Sequence, residues 1–103
     1  MTYRYTVCAT FKDDAVAREW IEWLACGHCA DVRAGGASNA EVVALDGEES
    51  SFEVRYDFPS REVFEEYERT HAPGLRAEGL DRFPTERGIT YSRTSGEIVH
   101  SEG

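Results

Sequence analysis

Two segments of the chain alternate between mainly apolar and mainly polar side chains, and this alternation limits the folds that the sequence can adopt. Residues 3–11 present one apolar row and one polar row: Tyr3, Tyr5, Val7, Ala9 and Phe11 against Arg4, Thr6, Cys8 and Thr10. Residues 52–58 repeat the pattern with Phe52, Val54, Tyr56 and Phe58 against Glu53, Arg55 and Asp57. A period of two is typical of β-strands with one buried face. The sequence therefore predicts a sheet with a covered aromatic face and an open polar face.

Two other segments carry apolar side chains at the three- and four-residue spacing of amphipathic helices. The first helix is predicted over residues 13–25, with Asp13 or Asp14 as its N-cap, and is expected to fray near Gly27. The second is predicted to begin after Ser60 and to end before Pro84. We expect a kink or break in it at Pro73, because proline lacks a backbone donor and disfavours helical geometry at the preceding residue.

The remaining segments complete a β-α-β-β-α-β order. Short strands are predicted over residues 39–45 and 89–93, and Asp46-Gly47 is typical of a hairpin turn. This order predicts an α+β protein of the ferredoxin-like plan, with a four-stranded antiparallel sheet and two helices on one face. Because 103 residues suffice for one packed core, we expect a single domain over residues 1–94 and a C-terminal tail over residues 95–103.

The charge of the chain argues against several classes of partner. The net charge is −9 and Lys12 is the only lysine, so phosphate backbones and anionic membranes would be repelled. No apolar run approaches the ~20 residues of a membrane helix, and the amino terminus lacks the apolar region of a secretory signal. The odd number of cysteines, three, fits a reducing compartment. We therefore predict a cytoplasmic protein without nucleic-acid or membrane partners.

The tetrapeptide Cys26-Gly27-His28-Cys29 has the letters of a dithiol redox motif. In thioredoxin-like proteins such a motif opens a helix, and the helix dipole lowers the pKa of the first thiol. Here the motif follows the predicted helix, where the dipole disfavours a thiolate, so we predict inert packing for both thiols. Cys26, His28 and Cys29 offer at most three of the four ligands of a tetrahedral zinc site, and no second such motif exists, so no metal site is predicted.

The polar face of the sheet allows two interpretations. Arg4, Arg55, Glu53 and Asp57 lie on the open side of the two alternating strands. They form cross-strand ion pairs on a solvated surface, or two copies of the chain pack sheet to sheet and enclose a polar-lined cavity. In the second case the arginines would hold a small anionic or carbonyl compound, and the carboxylates would neutralise them or act as bases. These four residues are the predicted ligand-binding residues.

Three stretches of the chain together resemble a bacterial domain-of-unknown-function family of small proteins. They are Trp20-Ile21-Glu22-Trp23-Leu24, then His28 with Asp31-Val32, and His71-Ala72-Pro73-Gly74-Leu75-Arg76. The family pattern has an aliphatic residue and proline after the first histidine, where this chain has Cys29 and Ala30. The resemblance covers roughly residues 3–93 and implies a subunit of the dimeric α+β barrel type. Antibiotic-biosynthesis monooxygenases that use no cofactor, muconolactone isomerase and chlorite dismutase-like proteins share this architecture.

The resemblance implies no assigned activity, so the catalytic residues are unknown, and His28 and His71 are the candidates. Each is predicted where a helix ends or bends, and capping of free carbonyls explains such histidines equally well. The sequence predicts an uncharacterised homodimer that binds a small molecule between its sheets or near the helix ends, without a cofactor. The alternative is a cofactor-independent monooxygenase or isomerase of the dimeric α+β barrel type, and a dithiol oxidoreductase is the weaker alternative.

Overall fold

The computed structural model describes all residues, 1–103, and contains one four-stranded antiparallel sheet with helices on one of its faces. The strands lie in the order β2-β3-β1-β4. In chain order the elements are β1 (Tyr3–Phe11), α1 (Asp14–Trp23), a π-helical turn (Leu24–His28), α2 (Cys29–Ala34), β2 (Asn39–Ala44), β3 (Ser50–Phe58), α3 (Arg61–Thr70), α4 (Ala72–Arg82), a 3₁₀ turn (Thr85–Arg87) and β4 (Ile89–Glu97). The predicted ferredoxin-like fold is confirmed. No helix is of the length and apolar character that crossing a bilayer requires.

The core lies between the aromatic face of the sheet and the helices, as the alternation predicted. The register pairs Tyr5 with Tyr56 and Val7 with Val54, so the apolar rows of β1 and β3 share one face. Phe64 of α3 packs on that face, with ring centroids 4.8 Å from Tyr3 and 5.2 Å from Phe58. Such aromatic pairs add about 0.5–1.5 kcal/mol each to the effect of apolar burial.

The first helical region is longer than predicted. Asp13 caps α1, since its carboxylate accepts a hydrogen bond of 2.8 Å from the backbone N–H of Ala15. Regular α1 ends at Trp23, and the π-helical turn that follows is kinked at Gly27, whose φ of 169° and ψ of −42° are not helical; beyond the kink the chain continues as α2, which ends at Ala34. In this turn the N–H of Cys29 donates to the carbonyl of Leu24, five residues earlier. The predicted loss of regular helix near Gly27 is thus seen as a kink, whereas the helix beyond it was not predicted; the burial of Leu24 and Val32 holds both sides of the kink in the core.

The second helical region is divided into two helices, as predicted. The break is at His71, one residue before Ala72, the residue at which Pro73 disfavours helical geometry. Ser60 caps α3 by accepting a hydrogen bond of 3.2 Å from Val63 N–H, and His71 separates α3 from α4. Pro73 lies in the first turn of α4. It fits there because the first N–H groups of a helix have no partner within the helix.

The last strand is also longer than predicted. β4 pairs with β1 along its whole length, from Ile89 opposite Phe11 to Glu97 opposite Tyr3. Residues 94–97 therefore belong to the sheet, and the predicted boundary at residue 94 falls within β4. The sequence did not predict this part of the strand, because threonine, serine and glycine at residues 94–96 show no alternation of apolar and polar side chains. The pairing here is made by backbone groups alone.

Phe58 tests the packing of helices on the aromatic face. Its side chain is fully buried, at 0% exposure, and it contacts Phe64 and Tyr67. Phe58→Ala is expected to lower the free energy of unfolding by about 3–5 kcal/mol, because a large cavity replaces the ring. Urea denaturation followed by circular dichroism measures the change. Val99→Ala is the control, since Val99 is 81% exposed and its truncation should change the free energy by less than about 0.5 kcal/mol. Equal effects would contradict the described core.

Candidate functional site

A cavity of about 70 Å³ lies between the aromatic face of the sheet and the helices. Twelve of its sixteen lining residues are hydrophobic, so it favours an apolar occupant. The volume is several times the about 10–15 Å³ that one water requires. The sheet contributes Tyr5, Val7, Val54, Tyr56, Tyr91 and Arg93; the helical segments contribute Trp20, Trp23, Leu24, His28, Tyr67, Ala72, Leu75, Arg76, Gly79 and Leu80.

One wall of the cavity depends on the close approach of α1 and α4 at Gly79. A Cβ atom at Gly79 would lie 3.2 Å from Cη2 of Trp23, which is tighter than ordinary contact. The absence of a side chain there lets the indole lie across α4, where it also meets Phe83 at a centroid distance of 5.4 Å. The imidazole of His28 stacks on the same indole, with ring centroids 4.1 Å apart. Trp23 thus positions His28 at the cavity.

Two buried polar atoms of the lining have no hydrogen-bond partner: Nδ1 of His28 and the hydroxyl oxygen of Tyr56. Desolvation lowers the pKa of His28, and the carboxylates of Glu78 and Asp31 only partly offset it, so the ring is neutral near pH 7. Burial raises the pKa of Tyr56 far above its ordinary value, so its hydroxyl remains a donor. The lining therefore contains an imidazole nitrogen without a partner and a phenol beside the thiol of Cys29, which is a weak hydrogen-bonding group.

The lining also contains a second group of polar side chains, around Arg76 and Arg93. The guanidinium of Arg76 lies beside the hydroxyl of Tyr5 and makes two contacts of 3.3 Å to the carboxylate of Glu68. Arg93 of β4 lines the same cavity and has no carboxylate within 4.0 Å. Burial raises the pKa of Tyr67, while the charges of Arg76 and Arg93 act in the opposite direction, so both cations lie near its hydroxyl.

The structure separates the two candidate histidines. His28 lines the cavity, but His71 lies at the junction of α3 and α4, is exposed, and does not line it. His71 instead stacks on Tyr67 with a centroid distance of 6.5 Å and approaches Gly35, where a Cβ atom would lie 3.0 Å from its Cγ. Its position agrees with packing at a helix junction. The catalytic role of either histidine stays a prediction.

The four residues predicted to bind a ligand on the open face occur as two ion pairs. Arg4 donates to both carboxylate oxygens of Asp57, at 2.8 and 3.2 Å, and Arg55 donates to Glu53 at 2.6 and 3.1 Å. All four are partly exposed and none lines the helix–sheet cavity. Their charges are balanced within this protomer, and a ligand-binding role for them stays a prediction that needs a second copy of the chain.

The two cysteines of the tetrapeptide differ in their surroundings. Cys26 is exposed in the π-helical turn, whereas Cys29 is half-buried beside the hydroxyl of Tyr56, and burial raises the pKa of its thiol. All strand pairs are antiparallel, so the sheet is not that of a thioredoxin-like protein, and the motif does not follow a strand. No cluster of three or more histidine, cysteine, aspartate or glutamate side chains suited to a metal ion occurs.

Residues 3–94 match the family described as Domain of unknown function (DUF4286). The chain belongs to this family. The match covers α1, the π-helical turn and α4, so the cavity lies within the part of the chain that DUF4286 describes. No curated protein matches the sequence.

Solved structures similar to this DUF4286 protein share its fold. Two are dimeric ferredoxin-like proteins from uncultured marine organisms, one with a TM-score of 0.74, 15% identity and 98% coverage of both chains. The other has a TM-score of 0.75, 8% identity and coverage of 99% of this chain and 98% of its own. SnoaB, a cofactor-independent oxygenase from Streptomyces nogalater, has a TM-score of 0.67, 12% identity and coverage of 97% and 95%. At such identities the similarity concerns the fold.

The sequence contained one signal for this cavity that the prediction did not use. Arg93 shares the phase of Ile89 and Tyr91 in β4, so the alternation places a cation on the covered face of the sheet. Arg93 is exposed, so its charge keeps contact with water while it lines the open side of the cavity. Tyr56 and Tyr67 gave no comparable signal, because a tyrosine in an apolar row is indistinguishable from a core aromatic.

Tyr56→Phe tests whether the buried hydroxyl of Tyr56 destabilises this DUF4286 protein. The hydroxyl has only the weakly hydrogen-bonding thiol of Cys29 beside it, and an unsatisfied buried hydroxyl costs about 1–3 kcal/mol, so its removal should raise the free energy of unfolding by about 1 kcal/mol. The matched control is Tyr91→Phe, which removes a hydrogen bond of 2.7 Å to the carbonyl of Phe83 and should lower the free energy by a similar amount. Denaturant titrations of the ligand-free protein measure both. Destabilisation by both variants would show that Tyr56 has a partner.

His28 should make stability depend on pH in a defined direction. Its folded pKa lies below the ordinary value of 6.5, so the unfolded chain binds more protons between the two values. Its contribution is therefore complete above pH 6.5 and is lost as the pH falls through that window. In His28→Gln the free energy of unfolding should fall less between pH 7 and 5.5 than in the wild type, as measured by urea denaturation. Equal pH dependence in the two proteins would contradict a buried neutral imidazole.

Proposed function

We propose that the protein is a homodimer in which each protomer binds a small, largely apolar organic molecule in the cavity between sheet and helices. The observation that carries this proposal is a mainly apolar cavity lined by His28, whose buried Nδ1 has no partner, and by Tyr56, whose hydroxyl has the weakly hydrogen-bonding thiol of Cys29 beside it. An unsatisfied buried atom such as Nδ1 of His28 costs the ligand-free protein about 1–3 kcal/mol. A ligand that satisfies this atom recovers that free energy, whereas an apolar side chain in its place would avoid the cost without any ligand.

The dimensions of the cavity limit the ligand. Its 70 Å³ is roughly half of the about 150 Å³ that admits benzene, so the enclosed part covers only a portion of an aromatic ligand. The rim includes Leu80, which is 44% exposed; apart from Met1 and Val99 it is the only exposed large apolar side chain. A ligand that protrudes from the enclosed part would cover Leu80. The proposed ligand is thus a small molecule of a few carbon atoms, or a ring that is partly held at the rim.

The dimer rests on a separate argument. The helices cover one face of the sheet, and the open face presents side chains that are mostly polar and paired within the protomer, such as Arg4 with Asp57. Two of the similar solved structures are described as dimeric. A second copy on this face would enclose the ion pairs that the sequence analysis selected. The net charge of −9 argues against nucleic acid in that place, and the three free thiols favour the cytoplasm.

One observation favours an enzyme of the cofactor-independent kind as a second candidate. The lowered pKa of His28 leaves a neutral imidazole with a free ring nitrogen at the cavity, which is the form that accepts a proton. In an isomerisation, His28 would take a proton from a carbon next to a carbonyl and return it at another carbon, so no further reactant is needed. An oxygenation would require dioxygen as a second substrate. The fold of SnoaB, an oxygenase that uses no cofactor, is similar.

Native mass spectrometry of gently purified protein tests the proposal. We expect a mass of twice the 11.6 kDa chain plus up to two copies of a small organic species. Leu75→Trp should abolish the bound species and keep the dimer, because the larger side chain fills the cavity. Val99→Trp, on the exposed tail, is the matched control and should retain the species.

The same experiment separates the two candidates. Chemical change of the bound species during incubation, lost in His28→Gln while binding persists, would favour the enzyme. An unchanged bound species would favour a binding protein. A monomer would contradict the dimer. A dimer that is empty after purification, and that shows no saturable binding of small aromatic or aliphatic compounds, would contradict the role of the cavity.

A further inference from the structure

We propose that the ligand of the cavity is a monocarboxylate with a short apolar body, whose carboxylate is bound between Arg76 and Arg93. This inference rests on the proposed binding function and names its ligand class. Both arginines line the cavity, one from α4 and one from β4, on opposite sides of the space between helices and sheet. A cation on each side of a mainly apolar cavity is the arrangement that recognises an acid group at one end of a hydrophobic molecule.

The ion pairs of the chain show why these two arginines are available. Six of the ten arginines form an ion pair, including Arg4 with Asp57 at 2.8 Å and Arg87 with Glu19 at 2.6 Å. Arg93 is one of four arginines without such a pair, and it is the one of the four that lines the cavity. Arg76 reaches Glu68 only at 3.3 Å, a long contact for a charge-assisted bond. The cavity therefore holds one unpaired and one weakly paired cation.

The tyrosines next to these cations add neutral donors. Burial keeps the hydroxyl of Tyr67 protonated although two guanidinium groups lie near it, and the hydroxyl of Tyr5 lies beside Arg76. A carboxylate accepts hydrogen bonds from guanidinium and phenol groups alike, whereas a cationic ligand would be repelled. The unpartnered nitrogen of His28, and the hydroxyl of Tyr56 beside the thiol of Cys29, remain for other polar groups of the ligand.

The charge of the site limits the ligand to a single negative charge. Arg76 and Arg93 supply two positive charges, Glu68 removes one, and Glu78 lies near His28 on the same helix layer. The whole protein carries a charge of −9, so a phosphate or a dicarboxylate would meet a repulsive field that two cations do not overcome. The volume of 70 Å³ fits an apolar body of roughly four to six carbon atoms when part of it lies at the rim.

The two tryptophans of the chain provide the measurement, because Trp20 and Trp23 both line the cavity. Their indole N–H signals in ¹H–¹⁵N spectra are followed during titration with butyrate or benzoate, and with the neutral counterparts butyramide or benzamide. At least one acid should bind with saturation, and about tenfold more tightly than its amide, because only the acid gains charge-assisted hydrogen bonds. The affinity of the acid should also fall as salt is added.

A pair of charge-matched variants separates a local contact from the general field. Arg93→Gln should weaken binding of the acid about tenfold and leave binding of the amide unchanged. Arg18→Gln removes the same charge from an exposed position of α1 outside the cavity, and should change neither. Both residues are exposed, so both variants are expected to fold.

The outcomes distinguish this inference from the proposed function. An amide that binds as tightly as its acid would overturn the carboxylate site and leave the binding function intact. Equal weakening by Arg93→Gln and Arg18→Gln would overturn the direct contact with Arg93. Absence of any saturable shift of either indole signal with all four compounds would count against the binding function itself, and the carboxylate site would fall with it.

Discussion

The structure depends on the burial of one row of aromatic side chains on the two central strands. Because β1 and β3 pair in a register that places Tyr5 opposite Tyr56, both rows face the helices, and a shift of one residue would turn them to solvent. The outer strands β2 and β4 extend the sheet on either side, and the helices cover this face. The helices exist as an amphipathic layer over it, and the cavity is the part of the layer where α1 and α4 do not close completely over the strands.

The open face and the covered face divide the charged groups of the chain into two kinds. On the open face, Arg4 and Arg55 lie next to carboxylates on the same or the neighbouring strand, and such exposed pairs contribute little to stability. On the face that the helices cover, Arg93 is exposed, has no such neighbour and lines the cavity. The arginines of the open face are thus neutralised within the protomer, whereas Arg93 is available to a negatively charged partner.

Sequence patterns predicted the architecture well and the site poorly, for a physical reason. Alternation in β1 and β3, the caps Asp13 and Ser60 and the break before Pro73 are local signals, so the ferredoxin-like plan followed from them. The cavity is a property of packing between distant segments, and a pattern cannot show which buried hydroxyl lacks a partner. Of the two candidate histidines only His28 reaches the cavity, because the π-helical turn, which was not predicted, directs it there.

The π-helical turn has a consequence for how this protein tolerates changes in length. A π-helical turn contains one more residue than the α-helical turn it replaces, and one residue corresponds to about 100° of rotation. Here the turn is also kinked at Gly27, whose backbone is not helical, so deleting this residue would change both the direction of α2 and the side of it that carries Cys29 and Val32. A change of length in this segment would therefore change which side chains of α2 face the core. Descendants of this chain that lost the extra residue would need different core side chains beside α2.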